Sequence, residues 1–261
     1  MTKEKARQHY VPQFYLKLFS PEKNGIYVYC YDKKNKKTFR TNVSQVCFEI
    51  GFYEDAKKPS KPIEDAFSLF ERECSKVFAK VINAEDLHVL DIKEFSDFVV
   101  FMLLFKQRTK KRRKIVSYAR KMWLDSINSQ LTDWVVVPTA DNPEQSDHLG
   151  SMIGTYQDEL RLILKNDWQL VINKTKVPFW TSDDPLLQQL VKNDKRFNEP
   201  YVKNYFPLTP SLLVHSQPLI GKYMSVTKIT MTDENVVNNL NRLTWNNAQR
   251  FVISKEDKFQ V

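Results

Sequence analysis

The sequence predicts an α+β fold in which residues 1–261 form a single domain. Alternation of apolar and polar residues over 26–41 indicates an N-terminal β-hairpin. Apolar residues at helical spacing over 63–128 indicate a central helical bundle. From residue 168 onward short apolar stretches return and indicate C-terminal antiparallel strands, with one late helix over 233–246. Strand-rich ends around a helical middle are typical of α+β proteins.

The N-terminal segment is predicted to be mostly extended. A short helix over 13–19 precedes the hairpin, whose strands run over 26–31 and 37–41 on either side of a polar turn. A further extended piece covers 46–53. A linker rich in Lys and Pro over 56–62 then separates these strands from the helices.

Two long helices and a shorter one follow. The first covers 63–83 and starts after Pro62, since proline fits the first turn of a helix. The second starts near Asp91 and continues to about residue 128, and the third covers 151–165. Apolar side chains at a period of 3.6 residues predict the helical core. They are Phe67, Phe70, Cys74, Val77, Phe95, Phe98, Val99 and Met102.

The C-terminal part is predicted to contain a hairpin, two further strands, a helix and a closing strand. The hairpin pairs 168–173 with 177–180. Thr232 is predicted as the N-cap of the helix over 233–246, because threonine is a favoured capping residue. The other strands cover 212–215, 225–231 and 250–254.

Composition and cysteine content limit the class of protein. Apolar residues make up 42% and charged residues 27%, which excludes a wholly disordered chain. The longest apolar run, residues 98–105, is too short to span a bilayer. The first ten residues lack the apolar core of a secretory signal. Three cysteines without paired spacing are read as reduced thiols. We therefore expect a cytoplasmic protein with no membrane partner, and the oligomeric state stays open.

Several enzyme families are excluded by their missing motifs. The sequence contains no G-x-x-x-x-G-K-[ST] and no G-x-G-x-x-G, so it lacks the usual phosphate-binding loops. It also contains no H-E-x-x-H and no G-x-S-x-G. The four histidines and three isolated cysteines lack the paired spacing of a His/Cys zinc site.

The positive charge is concentrated in one segment, residues 106–121, which we call the basic strip. It holds nine cations and no acid, and without them the chain has 31 basic and 31 acidic residues. Such a strip attracts polyanions, so we expect it to face solvent and to bind nucleic acid. The alternative is a solvated helix face that keeps the protein soluble. The predicted nucleic-acid-binding residues are Lys106, Arg108, Lys110, Lys111, Arg112, Arg113 and Lys114.

Four residues are candidates for a catalytic or ligand role. His9 titrates near neutrality and suits a base or a metal ligand, or else it bonds to backbone. Glu71 lies at the border of the apolar face of its predicted helix. Its carboxylate would either reach into a cleft as a metal ligand or remain in solvent. Asp183 follows a predicted apolar strand, where it would bind a metal or substrate or else form a structural turn. Arg108 suits a phosphate clamp, or else it pairs with an acid such as Glu71.

These residues belong to motifs that resemble the domain of unknown function 4238 family. The motifs occur in the same order over nearly the whole chain. The resemblance implies one folded unit and directs attention to the polar residues above, but it implies no activity. The motifs are HYVPQFYLKLF at 9–19, IEDAFSLFE at 63–71, QRT at 107–109, FWTSDDPL at 179–186, FPLTP at 206–210 and VNNLN at 237–241.

Two functions from different classes remain. In the first, His9, Glu71 and Asp183 bind Mg²⁺ or Mn²⁺ and Arg108 neutralises phosphate charge, which makes a metal-dependent nuclease of a defence or mobile-element setting. In the second, the protein is a non-catalytic module that binds nucleic acid or another partner, and Arg108 and Glu71 form a structural pair. The first function requires all four residues to meet in one cleft.

Overall fold

The computed structural model of the chain describes residues 7–23, 25–52, 61–130, 151 and 156–259. It confirms the α+β class, with N-terminal strands, central helices and C-terminal strands. Most of the predicted linker lies outside the described residues, as do residues 142–150, whose polar sequence predicts a loop. In chain order the elements are β1 (Arg7–His9), α1 (Gln13–Lys17), β2 (Tyr27–Asp32), β3 (Lys37–Asn42), β4 (Phe48–Ile50), α2 (Lys61–Ala84), α3 (Ile92–Gln107), α4 (Lys110–Gln130), α5 (Tyr156–Ile163), β5 (Asp167–Asn173), β6 (Thr181–Ser182), β7 (Leu187–Val191), β8 (Tyr201–Thr209), β9 (Leu212–Gln217), β10 (Val226–Met231), α6 (Glu234–Asn247) and β11 (Phe251–Ser254).

The described strands form three sheets. A five-stranded sheet has the order β10-β5-β9-β8-β7, in which β10 runs parallel to β5 and the other pairs are antiparallel. A four-stranded antiparallel sheet has the order β3-β2-β11-β6. The short strands β1 and β4 pair with each other, with His9 opposite Phe48. The C-terminal strand β11 therefore completes the sheet of the N-terminal hairpin.

The predicted hairpin between 168–173 and 177–180 is wrong. Residues 178–180 belong to no strand, because Pro178 has no N–H to donate and the next two N–H groups bond elsewhere. The N–H of Phe179 donates to the carbonyl of Pro210, and the N–H of Trp180 donates to Asn241 Oδ1, both at 2.9 Å. The strand instead starts at Thr181 and pairs with β11.

Strands β1, β7 and β8 were missing from the sequence prediction. In β7 three successive residues at the centre, Gln188–Leu190, are exposed, so the strand lacks a clear apolar alternation. In β8 Pro207 lies where the register against β9 shifts, and a proline is normally a signal against a strand. Strands β7 and β8 therefore form through pairing with neighbouring strands, and no local sequence pattern indicates them.

The second predicted helix is two helices in the structure. It begins as expected, with a capping box in which Asp91 Oδ1 accepts from the Glu94 N–H and Glu94 accepts from the Asp91 N–H. It ends at Gln107, and α4 starts after Thr109, whose Oγ1 accepts from the Arg112 N–H at 3.2 Å. The basic strip therefore contains a break, which turns its first residues toward the protein.

A smaller correction concerns α6, whose N-cap is Asp233 instead of Thr232.

The predicted helical core is present. Cys74, Val77, Phe98, Val99 and Met102 are buried. The other three predicted residues are partly buried and pack against this core; they are Phe67, Phe70 and Phe95.

Aromatic rings dominate the centre of this core, and Phe78 lies among them. Its ring contacts Phe98 and Phe101 with centroid distances of 5.2 Å, and it also meets Phe206 of the five-stranded sheet at 6.1 Å. Offset and edge-to-face pairs of this kind add to the free energy gained from burial. The contact joins the helices to the sheet.

Tyr15 in α1 connects the N-terminal segment to the rest of the protein. Its hydroxyl donates to the carbonyl of Pro207 and bonds to Thr181 Oγ1, both at 2.7 Å. Its ring stacks on Phe206 and meets Phe105 at 4.8 Å. A fully buried hydroxyl with both partners in place fixes the N-terminal motif to β6 and β8.

The three cysteines, Cys30, Cys47 and Cys74, are buried free thiols. In the part of the chain that the structure describes, no helix combines the length and the apolar character that a membrane crossing requires.

We expect Phe78→Ala to lower the free energy of unfolding by about 3–5 kcal/mol, because it leaves a cavity among four aromatic rings, those named above and Phe14. Urea unfolding followed by circular dichroism measures the change. Leu69→Ala on the same helix is the matched control, since Leu69 is 55% exposed and its loss should change stability by less than about 0.5 kcal/mol. Equal effects of the two substitutions would contradict the assigned helix orientation.

Candidate functional site

Arg108 is buried and joins three segments of the chain. Its Nη1 lies 2.6 Å from Glu71 Oε1 on α2, and its Nη2 donates to the carbonyl of His9 at 2.8 Å. The guanidinium carbon lies 4.3 Å from the ring centroid of Phe67. Only 5% of the Arg108 side chain is exposed, and a charge buried to this degree requires a partner. The predicted alternative, an Arg108–Glu71 pair, is thus the arrangement found.

His9 contributes its backbone to this arrangement, while its ring lies against β4. The ring centroid is 5.7 Å from that of Phe48, and Gln13 Nε2 is 3.4 Å from His9 Nδ1. Burial lowers the pKa of His9, the carbonyls of Ser44 and Val43 raise it, and the charge of Arg108 lowers it. Because the pKa is lowered overall, the imidazole is neutral at pH 7.

These groups line a polar cleft of about 380 Å³, which we call the Arg108 cleft. Polar and charged side chains from β1, α1 and α2 surround the guanidinium there. Its lining residues are Arg7, Gln8, His9, Gln13, Phe14, Asp65, Phe67, Ser68, Glu71 and Arg108.

Asp183 does not line the Arg108 cleft. Its two carboxylate oxygens accept the N–H groups of Gln249 and Arg250 at 2.9 and 2.8 Å, and its own N–H donates to Phe251. The neighbouring Ser182 Oγ accepts from the N–H of Asp184 at 3.1 Å. The prediction that all four candidates meet in one cleft is therefore wrong for Asp183, which holds a turn against the start of β11.

The predicted Mg²⁺ or Mn²⁺ site requires several carboxylate or imidazole ligands close together. Within the described residues, no three His, Cys, Asp or Glu side chains lie close enough together to bind a metal ion. Glu71 is bonded to Arg108, and Asp183 is bonded to backbone N–H groups in a different part of the fold. Glu64 lies on α2 two turns before Glu71, but its side chain lies outside the described residues.

The N-terminal half of the basic strip is mostly paired with acids, so the prediction that it faces solvent along much of its length is wrong there. The acids come from β4, α2, α5 and the turn after β6, which are all distant in sequence. The exposed fraction of the paired side chains runs from 38% for Lys110 down to 5% for Arg108. Besides Arg108–Glu71, the pairs are Lys106–Glu159, Lys110–Glu49, Lys111–Asp184 and Arg113–Glu49.

The remaining predicted cations differ in their surroundings. Arg112 Nη2 donates to Ser151 Oγ at 3.4 Å, whereas Lys114 is exposed. Lys114 lies one turn after Lys110 on α4, and both side chains reach a second, larger cavity.

We call this second cavity the basic cavity, and its volume is about 780 Å³. The β2–β3 hairpin, the segment before β4, the start of α4 and the loop before β11 surround it. Asp183 and Tyr10, from two of the sequence motifs, both line it. The lining residues are Tyr10, Asp32, Lys34, Asn35, Lys37, Phe39, Gln45, Val46, Cys47, Phe48, Lys110, Lys114, Asp183, Gln249, Arg250 and Phe251.

The basic cavity carries an excess of positive charge. Lys34, Lys37 and Lys114 are exposed and form no ion pair with any residue that the structure describes. Its acids are already bonded: Asp32 binds Arg250 in a bidentate pair, with Nη2–Oδ2 at 2.8 Å, and Asp183 accepts two N–H groups. An anion entering the cavity would therefore meet three uncompensated lysines.

Sequence analysis missed the lysines of the hairpin turn and Tyr10. Four of the five residues at 33–37 are lysines, a local signal that a count of net charge over the whole chain hides. The hairpin turn displays them because Asp32 Oδ1 accepts the N–H groups of Lys34 and Asn35 and so fixes the turn. Tyr10 lies in the motif at 9–19 but was not among the candidate residues.

Tyr10 and Cys47 form the buried wall of the basic cavity. The N–H of Tyr10 donates to the carbonyl of Cys47 at 3.0 Å, and Cys47 has a left-handed φ of 55°, which is uncommon for a residue other than glycine. Burial raises the pKa of the Tyr10 hydroxyl and that of the Cys47 thiol well above their usual ranges. Both stay protonated at neutral pH, so neither is an activated nucleophile.

We expect Glu71→Gln to lower the free energy of unfolding by about 3 kcal/mol, because it leaves the buried Arg108 charge uncompensated. Thermal and urea unfolding with and without Mg²⁺ measure this. Glu73→Gln is the matched control, since its partner Lys76 is exposed and little stability should be lost. A stable variant together with a Mg²⁺-dependent shift in the parent would contradict the structural role and support a metal ligand.

A second prediction concerns Asp183 and the pH dependence of the stability of the fold. Burial raises the pKa of Asp183 to about 6, and the charge of Asp184 adds to this increase. Backbone hydrogen bonds from residues 249–251 lower the pKa and offset part of it. The unfolded value is about 3.9. Between these two pH values the folded state binds more protons, so stability increases as the pH falls through 6.

We therefore expect the parent to gain up to about 1.4 kcal/mol per pH unit, from pH 6 down to pH 4, relative to Asp183→Asn. Urea unfolding of both proteins at pH 7, 6 and 5 measures the difference, and the comparison cancels the other carboxylates. A difference that does not change with pH would show that Asp183 ionises in the ordinary range.

Comparison with known proteins gives one match. The family model described as "Protein of unknown function (DUF4238)" matches residues 7–258. Neither the curated proteins nor the solved structures contain a match. The matched range includes every residue of the Arg108 cleft and of the basic cavity. Because the model spans nearly the whole sequence, the chain belongs to this family of proteins of unknown function, DUF4238.

Proposed function

We propose that this protein binds nucleic acid through the basic cavity and acts as a binding module. One observation carries the proposal. Lys34 and Lys37 on the hairpin and Lys114 on α4 line one cavity without an acidic partner among the described residues, while most other cations of the basic strip are paired. Three lysines from two separate parts of the fold therefore offer unpaired positive charge to one ligand at this cavity.

A polyanion is the ligand that this arrangement favours. Each lysine is a point charge on a flexible stem, which suits a phosphate contact without a fixed geometry. Neutralising phosphates in this way releases counterions and supplies an affinity that depends on salt. The same cavity has the aromatic residues Phe39, Phe48 and Phe251 in its walls, so a ligand with both phosphates and rings complements it.

Hydrolysis by a metal-dependent nuclease stays a prediction of the sequence. The geometry favours binding over hydrolysis, because the candidate carboxylates have structural partners. Glu71 bonds to Arg108, and Asp183 bonds to the backbone of 249–250. Binding without cleavage requires only the cations and the shape of the cavity.

We expect the triple variant Lys34→Gln/Lys37→Gln/Lys114→Gln to bind labelled single-stranded oligonucleotides more weakly than the parent does. The slope of log K against log[salt] should decrease by about 2, since each phosphate contact contributes about 0.7 for a single strand. Fluorescence anisotropy between about 50 and 200 mM salt measures both quantities.

The matched control is Lys176→Gln/Lys192→Gln/Lys195→Gln, which removes the same charge from exposed lysines outside the cavity. It should keep a salt slope close to that of the parent. Equal losses in the two triple variants would indicate only a net-charge effect and would refute the basic cavity as the site. Loss of the oligonucleotide itself during incubation with Mg²⁺ or Mn²⁺ would favour the nuclease instead.

A further inference from the structure

We propose that the basic cavity selects single-stranded over double-stranded nucleic acid, because its aromatic wall receives unstacked bases. This inference rests on the function proposed above and specifies its ligand. It assigns the phosphates to the lysines and the bases to Phe39, Phe48 and Phe251.

The three phenylalanines come from different strands and meet at one cavity. Phe39 lies on β3, Phe251 on β11 and Phe48 on β4, and all three are partly exposed. The rings of Phe39 and Phe251 are 6.5 Å apart at an interplanar angle of 75°. Phe39 and Phe251 pack against the hydrophobic core and keep part of their surface exposed, and aromatic platforms of this kind are how proteins bind unpaired bases.

Two guanidinium groups lie over these rings, that of Arg250 from the lining of the basic cavity and that of Arg7 from the lining of the Arg108 cleft. The guanidinium carbon of Arg7 is 5.0 Å from the ring centroid of Phe48, and that of Arg250 is 4.6 Å from the ring centroid of Phe251. Lys34 and Lys37 extend from the hairpin whose strand β3 carries Phe39. Positive groups next to flat apolar surfaces match the alternation of phosphate and base along a single strand.

A duplex matches only part of this surface. Its bases are paired and stacked inside the helix, so its outside offers phosphates to the lysines but no base face to the phenylalanines. Its persistence length is about 50 nm, which prevents it from bending into a cavity of about 780 Å³. A single strand is flexible and can place one or two nucleotides inside.

The cavity is also held in shape before a ligand arrives. The bidentate Arg250–Asp32 pair links the loop before β11 to the end of β2. Lys33 Nζ donates to the carbonyls of Trp245 and Ala248, both at 2.8 Å, which fixes the hairpin turn to the end of α6. A preformed site loses less entropy on binding, so the stacking contributes more of its free energy to affinity.

The test compares a labelled 12-nucleotide single strand of DNA, the corresponding RNA and a 12-base-pair duplex by fluorescence anisotropy at 50 mM salt. We expect the parent to bind at least one single strand about tenfold more tightly than the duplex. Phe39→Leu and Phe48→Leu, made separately, should each weaken single-strand binding by about five- to twentyfold, the range expected for one lost stacking contact. The duplex affinity and the salt slope should not change.

Tyr223→Leu is the matched control, because Tyr223 is 76% exposed and lies outside the cavity. Melting temperatures show whether each variant is folded. If one phenylalanine variant does not fold, the other still tests the inference.

A duplex that binds as tightly as the single strands, or phenylalanine variants that bind like Tyr223→Leu, would overturn the inference while leaving the lysine result intact. Absence of binding by every oligonucleotide at this salt concentration would overturn the proposed function and the inference together.

Discussion

The burial of Arg108 is the constraint on which the arrangement of the motifs depends. A guanidinium cannot lose a proton at neutral pH, so placing it inside the protein demands an acid and further acceptors. Glu71 and the carbonyl of His9 meet this demand, and they bring α2 and β1 to the end of α3. The break between α3 and α4 follows directly after this residue, so the same position sets the direction in which the basic strip leaves the core.

Local patterns predicted most of the fold correctly. The hairpin, the start of α3 at its capping box and the apolar face of α2 each depend on residues that are close in sequence. Errors occurred where distant residues decide the structure. Residues 178–180 bond to a loop and to Asn241 instead of to β5, and Thr109 interrupts a helix that apolar periodicity alone would continue.

The candidate site was predicted less well than the fold, for a physical reason. Whether a charged residue is available to a ligand depends on its partners in space, and a sequence without tertiary contacts does not reveal them. Arg113 and Glu49 are 64 residues apart, yet they form a close pair, at 2.8 Å. Counting charge along the chain therefore emphasised the basic strip, whose first half is mostly paired with acids, and it missed Lys34 and Lys37, which form no ion pair with any described residue.

The position of β11 between β2 and β6 has a consequence for how the protein folds. The hairpin is synthesised well before the strand that completes its sheet, since Cys30 pairs with Ile253. A nascent hairpin therefore carries an unpaired edge until translation has passed β11, and such edges favour aggregation. Closing this long loop is entropically costly, so we infer that the sheet and the basic cavity form late, after the helical core.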